Sequence, residues 1–183
     1  MLKKIFLAAI LLVLTLSACG SPFDDNEPML GGEPFELYLV ADPQITGTQL
    51  QNYDLDELPL AEDPLIATDE LVNYVWEFHA FDLTQDAYQK LIIAFSRGLP
   101  ASGLPFVIVA YGERIFAGAF WSPISSVSYD GVTIIQPFDP SSQPLLITLG
   151  YPDASYFEGE DPRNDPRLES ALDDAGVLRR AED

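Results

Sequence analysis

The sequence predicts an α+β fold in which a largely antiparallel sheet is covered by one main helix, with a short C-terminal helix in addition. Three observations predict it. Short apolar runs bounded by Pro, Gly and Asp are typical of strands, whereas residues 84–97 carry apolar residues at helical spacing. Residues 165–176 have their own helix start and stop signals. The order of strands, helix, hairpin and further strands favours a mixed fold over regular βαβ alternation.

The first part of the body is predicted to be a strand followed by a long connection. Residues 35–41 are mostly apolar and end at Asp42-Pro43, which stops a strand. Residues 42–67 contain several prolines and acidic residues, so we expect mostly loop there. Thr68 and Asp69 can cap a single helical turn that runs to Tyr74.

Residues 75–83 alternate in polarity, as a strand does when one of its faces is buried. The apolar face is predicted to carry Trp76, Phe78 and Ala80, and the opposite face to carry Glu77 and His79. A histidine that acts as a general base needs a nucleophile or a polarised water beside it. No such neighbour is evident for His79, so we expect it to be a solvent-facing strand residue.

Both helices have clear end signals. The main helix is predicted to begin after Thr84, because a threonine hydroxyl can accept from a free backbone N–H, and to end at Gly98. Its buried face is predicted to carry Ala87, Tyr88, Leu91, Ile92 and Phe95. In the second helix Asp165 is the predicted cap, Pro166 the first residue and Gly176 the stop.

The remaining strands follow the main helix. Residues 105–121 are predicted to form a hairpin with its turn at Gly112-Glu113. The first half of this hairpin is apolar on both faces, as a central strand is. Residues 129–136 and 145–149 are predicted to be two further strands, of which the second is the last.

The N-terminus has the pattern of an export signal. Lys3 and Lys4 precede an apolar stretch at residues 5–16, which is too short to span a membrane. The run Leu16-Ser17-Ala18-Cys19 resembles the lipobox of bacterial lipoproteins. That resemblance implies that residues 1–18 are a signal peptide and that Cys19 carries a diacylglycerol. Residues 19–34 are then a flexible tether, and residues 35–183 a single domain.

Charge and cysteine content narrow the classes of partner. The chain has nine basic and 29 acidic residues, and removal of the two signal lysines changes its formal charge from −20 to −22. This charge excludes nucleic acid, whose phosphates require clustered Lys and Arg. Attachment to a bacterial cell membrane or outer membrane is therefore expected through the lipid on Cys19 alone. No thiol remains after lipidation, and we expect no cofactor.

Residues 81–136 resemble a second family. The helix start Thr84-Gln85-Asp86-Ala87, an apolar strand, a turn at Gly112, a second strand and a third strand are similar to the head of the first periplasmic domain of SecD-type export subunits. The resemblance implies a fold for about a third of the mature chain. SecD-type subunits have several membrane-spanning helices and this sequence has none in the body, which leaves little basis for a role in export. With its Gly-Ala-Phe-Trp stretch at residues 118–121 and its Ser-Ser-x-Ser-Tyr-Asp-Gly stretch at residues 125–131, the whole body also resembles uncharacterised bacterial envelope proteins.

Acidic residues provide two candidate sites for chemistry. Asp54, Asp56 and Glu57 alternate at a spacing that could touch calcium, but Leu55 and Leu58 occupy positions where a calcium loop needs oxygen ligands or Gly. Residues 158–161 form a second acidic cluster. For both, a solvated surface is the favoured interpretation, and we predict no catalytic or metal site.

The aromatic residues suggest a recognition surface instead. Trp121 is predicted to lie at the sheet edge as the main contact residue, with Tyr111 and Tyr129 nearby. The alternative is that Trp121 is ordinary core. The function expected from the sequence is a non-enzymatic binding or scaffolding domain for a protein, peptide or glycan, held at the envelope by lipid. An envelope hydrolase that uses Asp, Glu and Ser side chains, and an accessory factor of export or envelope assembly, are the alternatives.

Overall fold

The computed structural model describes residues 32–137 and 144–181, and shows a mixed α+β fold built on a nine-stranded sheet. The strands in chain order are β1 (Glu36–Leu39), β2 (Ile66–Ala67), β3 (Leu71–Val75), β4 (Ala80–Leu83), β5 (Leu104–Ala110), β6 (Glu113–Trp121), β7 (Tyr129–Ile135), β8 (Leu145–Tyr151) and β9 (Leu178–Arg179). Their order across the sheet is β2-β1-β5-β6-β7-β8-β4-β3-β9.

The sheet is mostly antiparallel, which confirms the prediction. Neighbouring strands run antiparallel except for the pairs β6–β7 and β3–β9. The parallel β6–β7 pair arises because residues 122–128 carry the chain from the end of β6 back along the sheet before β7 begins. β9 also shows that the strand at residues 145–149 is not the last, and β8 itself extends to Tyr151.

Two α-helices occur where the end signals predicted them. In α1 (Gln85–Ala94) the Thr84 hydroxyl accepts from the N–H of Ala87 at 3.3 Å. In α2 (Pro166–Asp174) the Asp165 carboxylate accepts from the N–H of Arg167 at 2.8 Å. These caps satisfy backbone donors that have no partner inside the helix, which explains why local sequence locates both helix starts. No helix in the described ranges has the length and apolar character needed to cross a membrane.

The larger core lies between the two helices and one face of the sheet. The residues buried there come from both helices and include Ala87, Tyr88, Leu91, Phe95, Leu168, Ala171 and Leu172. The prediction of one main helix over the sheet is therefore met only in part, because α2 shares this position with α1. Ile92 was predicted on the buried face of α1, but it is exposed because the packed stripe follows Ala87, Leu91 and Phe95.

A second, smaller core covers the opposite face of the sheet. Its buried members from the connection after β1 are Ile45, Leu50 and Leu58, which pack on Val107 and Val109 of β5. The connection contains two short 3-10 segments, Gly47–Asn52 and Leu55–Glu57. The prediction of mostly loop at residues 42–67 is correct in secondary structure. Nevertheless this segment is packed, and it leaves β5 buried on both faces.

Two local predictions before α1 are wrong. The helical turn expected from Thr68 to Tyr74 is limited to the 3-10 segment Thr68–Glu70, after which β3 begins. Residues 75–83 are not one strand, because the 3-10 segment Trp76–Phe78 reverses the chain between β3 and β4. His79 follows this turn with φ 46°, a left-handed conformation that interrupts strand alternation. The side chain of Phe78 consequently points to solvent, with 63% of its surface exposed.

Candidate functional site

Trp121 is not at a sheet edge and is not a contact residue. β6 lies between β5 and β7 inside the sheet, and the Trp121 side chain is 0% exposed. Its indole stacks on the Tyr129 ring, with centroids 4.9 Å apart and planes 6° from parallel. Gly47 and Gly103 lie beside the Cε3 and Cζ3 atoms of the indole. The alternative interpretation, that Trp121 is core, is therefore the correct one.

Tyr129 is also buried, and it shares a small cluster with Ala119, Trp121 and Tyr151. Burial raises the pKa of the Tyr129 hydroxyl. The hydroxyl of Tyr151 donates to the backbone carbonyls of Pro123 and Ser125, at 3.0 and 3.2 Å, and so ties residues 122–128 to this cluster. Two of the three aromatic residues predicted to form a contact surface are thus part of the packed interior.

Tyr111 is the predicted contact residue that remains accessible, with 44% of its surface exposed. It occupies the turn between β5 and β6 with φ 51°, followed by Gly112 with φ 80°. The turn is therefore centred one residue earlier than predicted. Two consecutive positive φ angles suit the twist of a tight hairpin, but the first is unfavourable for a bulky residue such as tyrosine.

Two hydrogen bonds place Tyr111 relative to other parts of the chain. Its hydroxyl donates to Oδ2 of Asp174 at the end of α2, at 2.5 Å. Its backbone N–H donates to the carbonyl of Glu33 at 2.9 Å, close to the point where the described body begins. The bond to Asp174 raises the pKa of the Tyr111 hydroxyl. Tyr111 thus joins the hairpin turn, the C-terminal end of α2 and the entry of the chain into the body.

The exposed ring of Tyr111 forms one wall of a pocket of about 400 Å³, here termed the Tyr111 pocket. The pocket is lined by Ala110, Tyr111, Glu113, Pro166, Arg167 and Ser170. The β5–β6 hairpin supplies three of these residues, and the first half of α2 supplies the other three. An apolar floor with a few polar groups at its rim is typical of a ligand site.

The rim of the Tyr111 pocket carries excess negative charge. Arg167 donates to both carboxylate oxygens of Asp165, at 3.0 and 2.7 Å, and to Oε2 of Glu113 at 3.0 Å. Its guanidinium therefore offsets only part of the charge of Asp165, Glu113 and Asp174. The bonds from Arg167 hold the pKa of Asp165 below its usual range, so that carboxylate stays ionised. A cationic ligand that also stacks on the Tyr111 ring fits this arrangement.

Sequence reasoning singled out Tyr111 but missed its partners. Glu113 and Arg167 are 54 residues apart in the chain, and Tyr111 and Asp174 are 63 residues apart. No local pattern connects residues at such separations. The available signal was the Tyr111-Gly112 pair itself, because a large aromatic residue at the tip of a hairpin cannot pack into the sheet that it closes.

His79 is buried rather than solvent-facing, which corrects the sequence prediction. It is 5% exposed, and its Nδ1 lies 3.1 Å from the hydroxyl of the buried Tyr74. Burial is the main cause that lowers the pKa of the imidazole, so the ring is neutral at pH 7. Nδ1 of a neutral ring can accept a hydrogen bond from the Tyr74 hydroxyl, which satisfies both buried groups. This contact stabilises the turn between β3 and β4.

The acidic candidates perform structural roles. The Asp54 carboxylate accepts from the N–H of Asp56 at 3.1 Å and caps the 3-10 segment that follows. In the second cluster, Asp161 forms two hydrogen bonds with the Arg163 guanidinium, at 2.8 and 2.7 Å. Within residues 32–137 and 144–181, no group of three or more His, Cys, Asp or Glu side chains is arranged to hold a metal ion.

Comparison with known proteins adds no relative. No protein-family model matches the chain, and no curated protein or solved structure matches it with statistical significance. Cys19 lies outside the described residues, so lipid attachment there stays a prediction. The resemblance of residues 81–136 to the SecD-type head likewise stays a prediction.

Proposed function

We propose that this chain is a lipid-anchored protein of the bacterial envelope, whose folded domain binds a cationic segment of a protein or peptide partner at the Tyr111 pocket. The anchoring part of the proposal is supported by the basic start, the short apolar stretch and the Leu16-Ser17-Ala18-Cys19 run. The binding part is supported by the exposed aromatic wall and the acidic rim of the pocket.

One observation carries the binding part. Tyr111 has a positive φ of 51°, where glycine or asparagine is the favoured residue, and yet its ring stays 44% exposed. A residue that is unfavourable for its backbone and contributes little to the core is typical of a functional position. The aromatic face offers a cation–π contact, while Glu113 and Asp174 offer charge at the rim.

The position of the pocket relative to the lipid favours a partner near the membrane. The backbone N–H of Tyr111 donates a hydrogen bond to the carbonyl of Glu33, which is 14 residues from Cys19 in the chain. A chain of that length spans at most roughly 50 Å when fully extended. Basic segments that lie beside membrane anchors of other proteins are within this distance of the same bilayer. The acidic body itself is repelled by anionic headgroups, so the pocket remains available for them.

Titration of the full-length protein with a blocked Ala-Lys-Ala-Lys-Ala peptide tests the binding site. We expect binding that weakens with added salt, and loss of binding when glutamine replaces both lysines. Tyr111→Asn removes the ring while suiting the turn, so this variant is expected to fold at least as well as the wild type but to bind the peptide more weakly. Ile93→Asn, at an exposed position on α1, is the matched control. Equal affinity of Tyr111→Asn and wild type would refute the site.

Metabolic labelling with a fatty-acid analogue tests the anchor. The wild-type chain is expected to incorporate the label and to fractionate with membranes. Cys19→Ala is expected to lose the label and accumulate as an unprocessed precursor, because the chain has no other cysteine. Label that persists in Cys19→Ala would show that the lipid is attached elsewhere.

Among the alternatives, an envelope hydrolase is less well supported by the pocket chemistry. Acid–base hydrolysis by two carboxyl groups needs one of them protonated at neutral pH. The pKa of Asp165 at the rim is lowered instead, because Arg167 donates to it. An export role has one supporting observation, since α1, the β5–β6 hairpin and β7 follow in the order implied by the SecD-type resemblance. Deletion of the gene should then delay processing of secreted precursors.

A further inference from the structure

The edge of β8 is only partly covered by its neighbour β4. The two strands pair at Phe81 with Leu145 and at Ala80 with Leu146. The N–H of Ile147 then donates to the carbonyl of His79 at 2.9 Å, after which the chain of the neighbour turns away in the segment Trp76–Phe78. The carbonyl of Ile147 accepts from Nη1 of Arg163 at 2.8 Å, so a side chain occupies the position that a strand N–H would take.

The directions of the backbone N–H and C=O groups alternate along a strand, so the arrangement at Ile147 recurs two residues later. Because Ile147 directs its N–H and C=O toward β4, Leu149 directs its own N–H and C=O to the same side. The pairing with β7 agrees, since Ile147 and Leu149 lie opposite Ile134 and Val132 at positions of the same phase. Leu149 therefore presents one donor and one acceptor at a position that β4 does not reach, because β4 begins at Ala80, opposite Leu146.

A pocket of about 300 Å³ lies against this part of β8. Four consecutive residues of the strand, Ile147 to Gly150, line it over roughly 10 Å of strand length. The other lining residues are Phe78 from the turn before β4, Ile135 at the end of β7, Arg163, and Pro152, Asp153 and Ala154, which follow β8 in the chain. Phe78 is 63% exposed, so an apolar surface stands next to the backbone positions of Leu149.

We propose that this edge binds an extended peptide, which adds a short strand to β8 at Leu149 and places an apolar side chain against Phe78. The chemistry of the edge selects this occupant. One residue of an extended chain supplies an acceptor and a donor at the spacing that Leu149 requires, and main-chain bonds of this kind give affinity to strand addition in general. The site is separate from the Tyr111 pocket and does not depend on the proposed function.

Amide hydrogen exchange of the full-length protein tests the geometry directly. In the free protein we expect the Leu149 amide to exchange much faster than the amides of Ile147 and Thr148. On addition of a blocked Thr-Val-Thr-Val-Thr peptide, the Leu149 amide is expected to become protected. Protection of Leu149 equal to that of Ile147 in the free protein would overturn the proposal, as would unchanged exchange at saturating peptide.

Two variants of the binding experiment separate main-chain hydrogen bonding from nonspecific apolar binding. N-methylation of the central threonine of the peptide removes a backbone donor, and we expect roughly three- to tenfold weaker binding. Phe78→Ser is expected to weaken binding of the unmodified peptide, whereas Ile93→Ser, which alters another exposed apolar residue on α1, is expected to leave it unchanged. Equal binding of the methylated and unmodified peptides, or equal effects of the two variants, would contradict strand addition.

Discussion

Gly103→Ala tests the burial of Trp121, the feature in which the prediction from the sequence and the structure differ most. A Cβ atom at Gly103 would lie 2.3 Å from Cζ3 and 2.5 Å from Cε3 of the Trp121 indole. Real Cβ atoms essentially never approach other heavy atoms so closely. The indole has little room to move away, because the Tyr129 ring stacks on it at a centroid distance of 4.9 Å. The substitution therefore forces rearrangement inside a packed cluster.

The expected magnitude has two parts. Gly103 has φ +80°, and alanine in the left-handed region costs about 1–2 kcal/mol, of which part is offset by the lower entropy of the unfolded chain. Overpacking of a buried site adds about 1–3 kcal/mol. We expect Gly103→Ala to lower the free energy of unfolding by about 2–4 kcal/mol in total.

Gly98→Ala is the matched control. Gly98 has nearly the same backbone angle, φ +79°, but a Cβ there would have no heavy atom within 4 Å. The control should lose only about 1 kcal/mol, from the backbone conformation. Guanidinium denaturation followed by far-UV circular dichroism measures both variants. If Gly103→Ala were no less stable than Gly98→Ala, the indole could not be packed against residue 103, and the contact interpretation of Trp121 would regain its basis.

Two further predictions concern polar groups on the second face of the sheet. Glu36 is buried beside the donating Tyr38 hydroxyl, and burial raises the pKa of its carboxyl. The folded state then binds this proton more tightly than the unfolded state. The stability of Glu36→Gln relative to wild type should therefore increase as the pH rises through the folded pKa. Denaturation curves between about pH 4 and pH 8 measure this, and a constant difference in stability would contradict the prediction. Arg114→Ala removes bonds to the carbonyls of Leu55 and Leu58, at 2.5 and 2.8 Å, and should cost about 2–3 kcal/mol of unfolding free energy. Arg97→Ala, at an exposed position, should change it by less than about 0.5 kcal/mol in the same assay, and similar losses for both would refute the role of Arg114.

The sequence by itself determined the features that depend on residues a few positions apart. Thr84 and Asp165 cap their helices through N–H groups within three residues, and the hairpin of β5 and β6 joins strands that are adjacent in the chain, with its turn one residue before the predicted Gly112-Glu113. The predicted export signal depends on equally local features, because it consists of an apolar stretch and the residues around Cys19 in one continuous segment. Such signals act over distances that a short sequence window contains, so the fold class and most strands could be predicted.

Only the tertiary structure decided which faces are buried. Residues 42–67 have the composition of a loop, and nothing in them shows that Ile45, Leu50 and Leu58 cover the second face of the sheet. Gly47 of the same segment lies against the indole of Trp121, which is buried inside the sheet in a separate cluster with Tyr129 and Tyr151. The same holds for His79, whose left-handed turn brings its ring to Tyr74. Burial depends on surfaces contributed by distant segments, and strand periodicity specifies a face without specifying what lies on it.

The candidate sites also depend on tertiary structure. Tyr111 meets Asp174 across 63 residues, and Glu113 meets Arg167 across 54, because the hairpin tip and α2 pack at one end of the sheet. At the β8 edge, the open position proposed at Leu149 arises because the neighbouring chain enters β4 only after the turn of Trp76–Phe78. Each residue type is visible in the sequence, but its chemistry arises from neighbours that only packing provides.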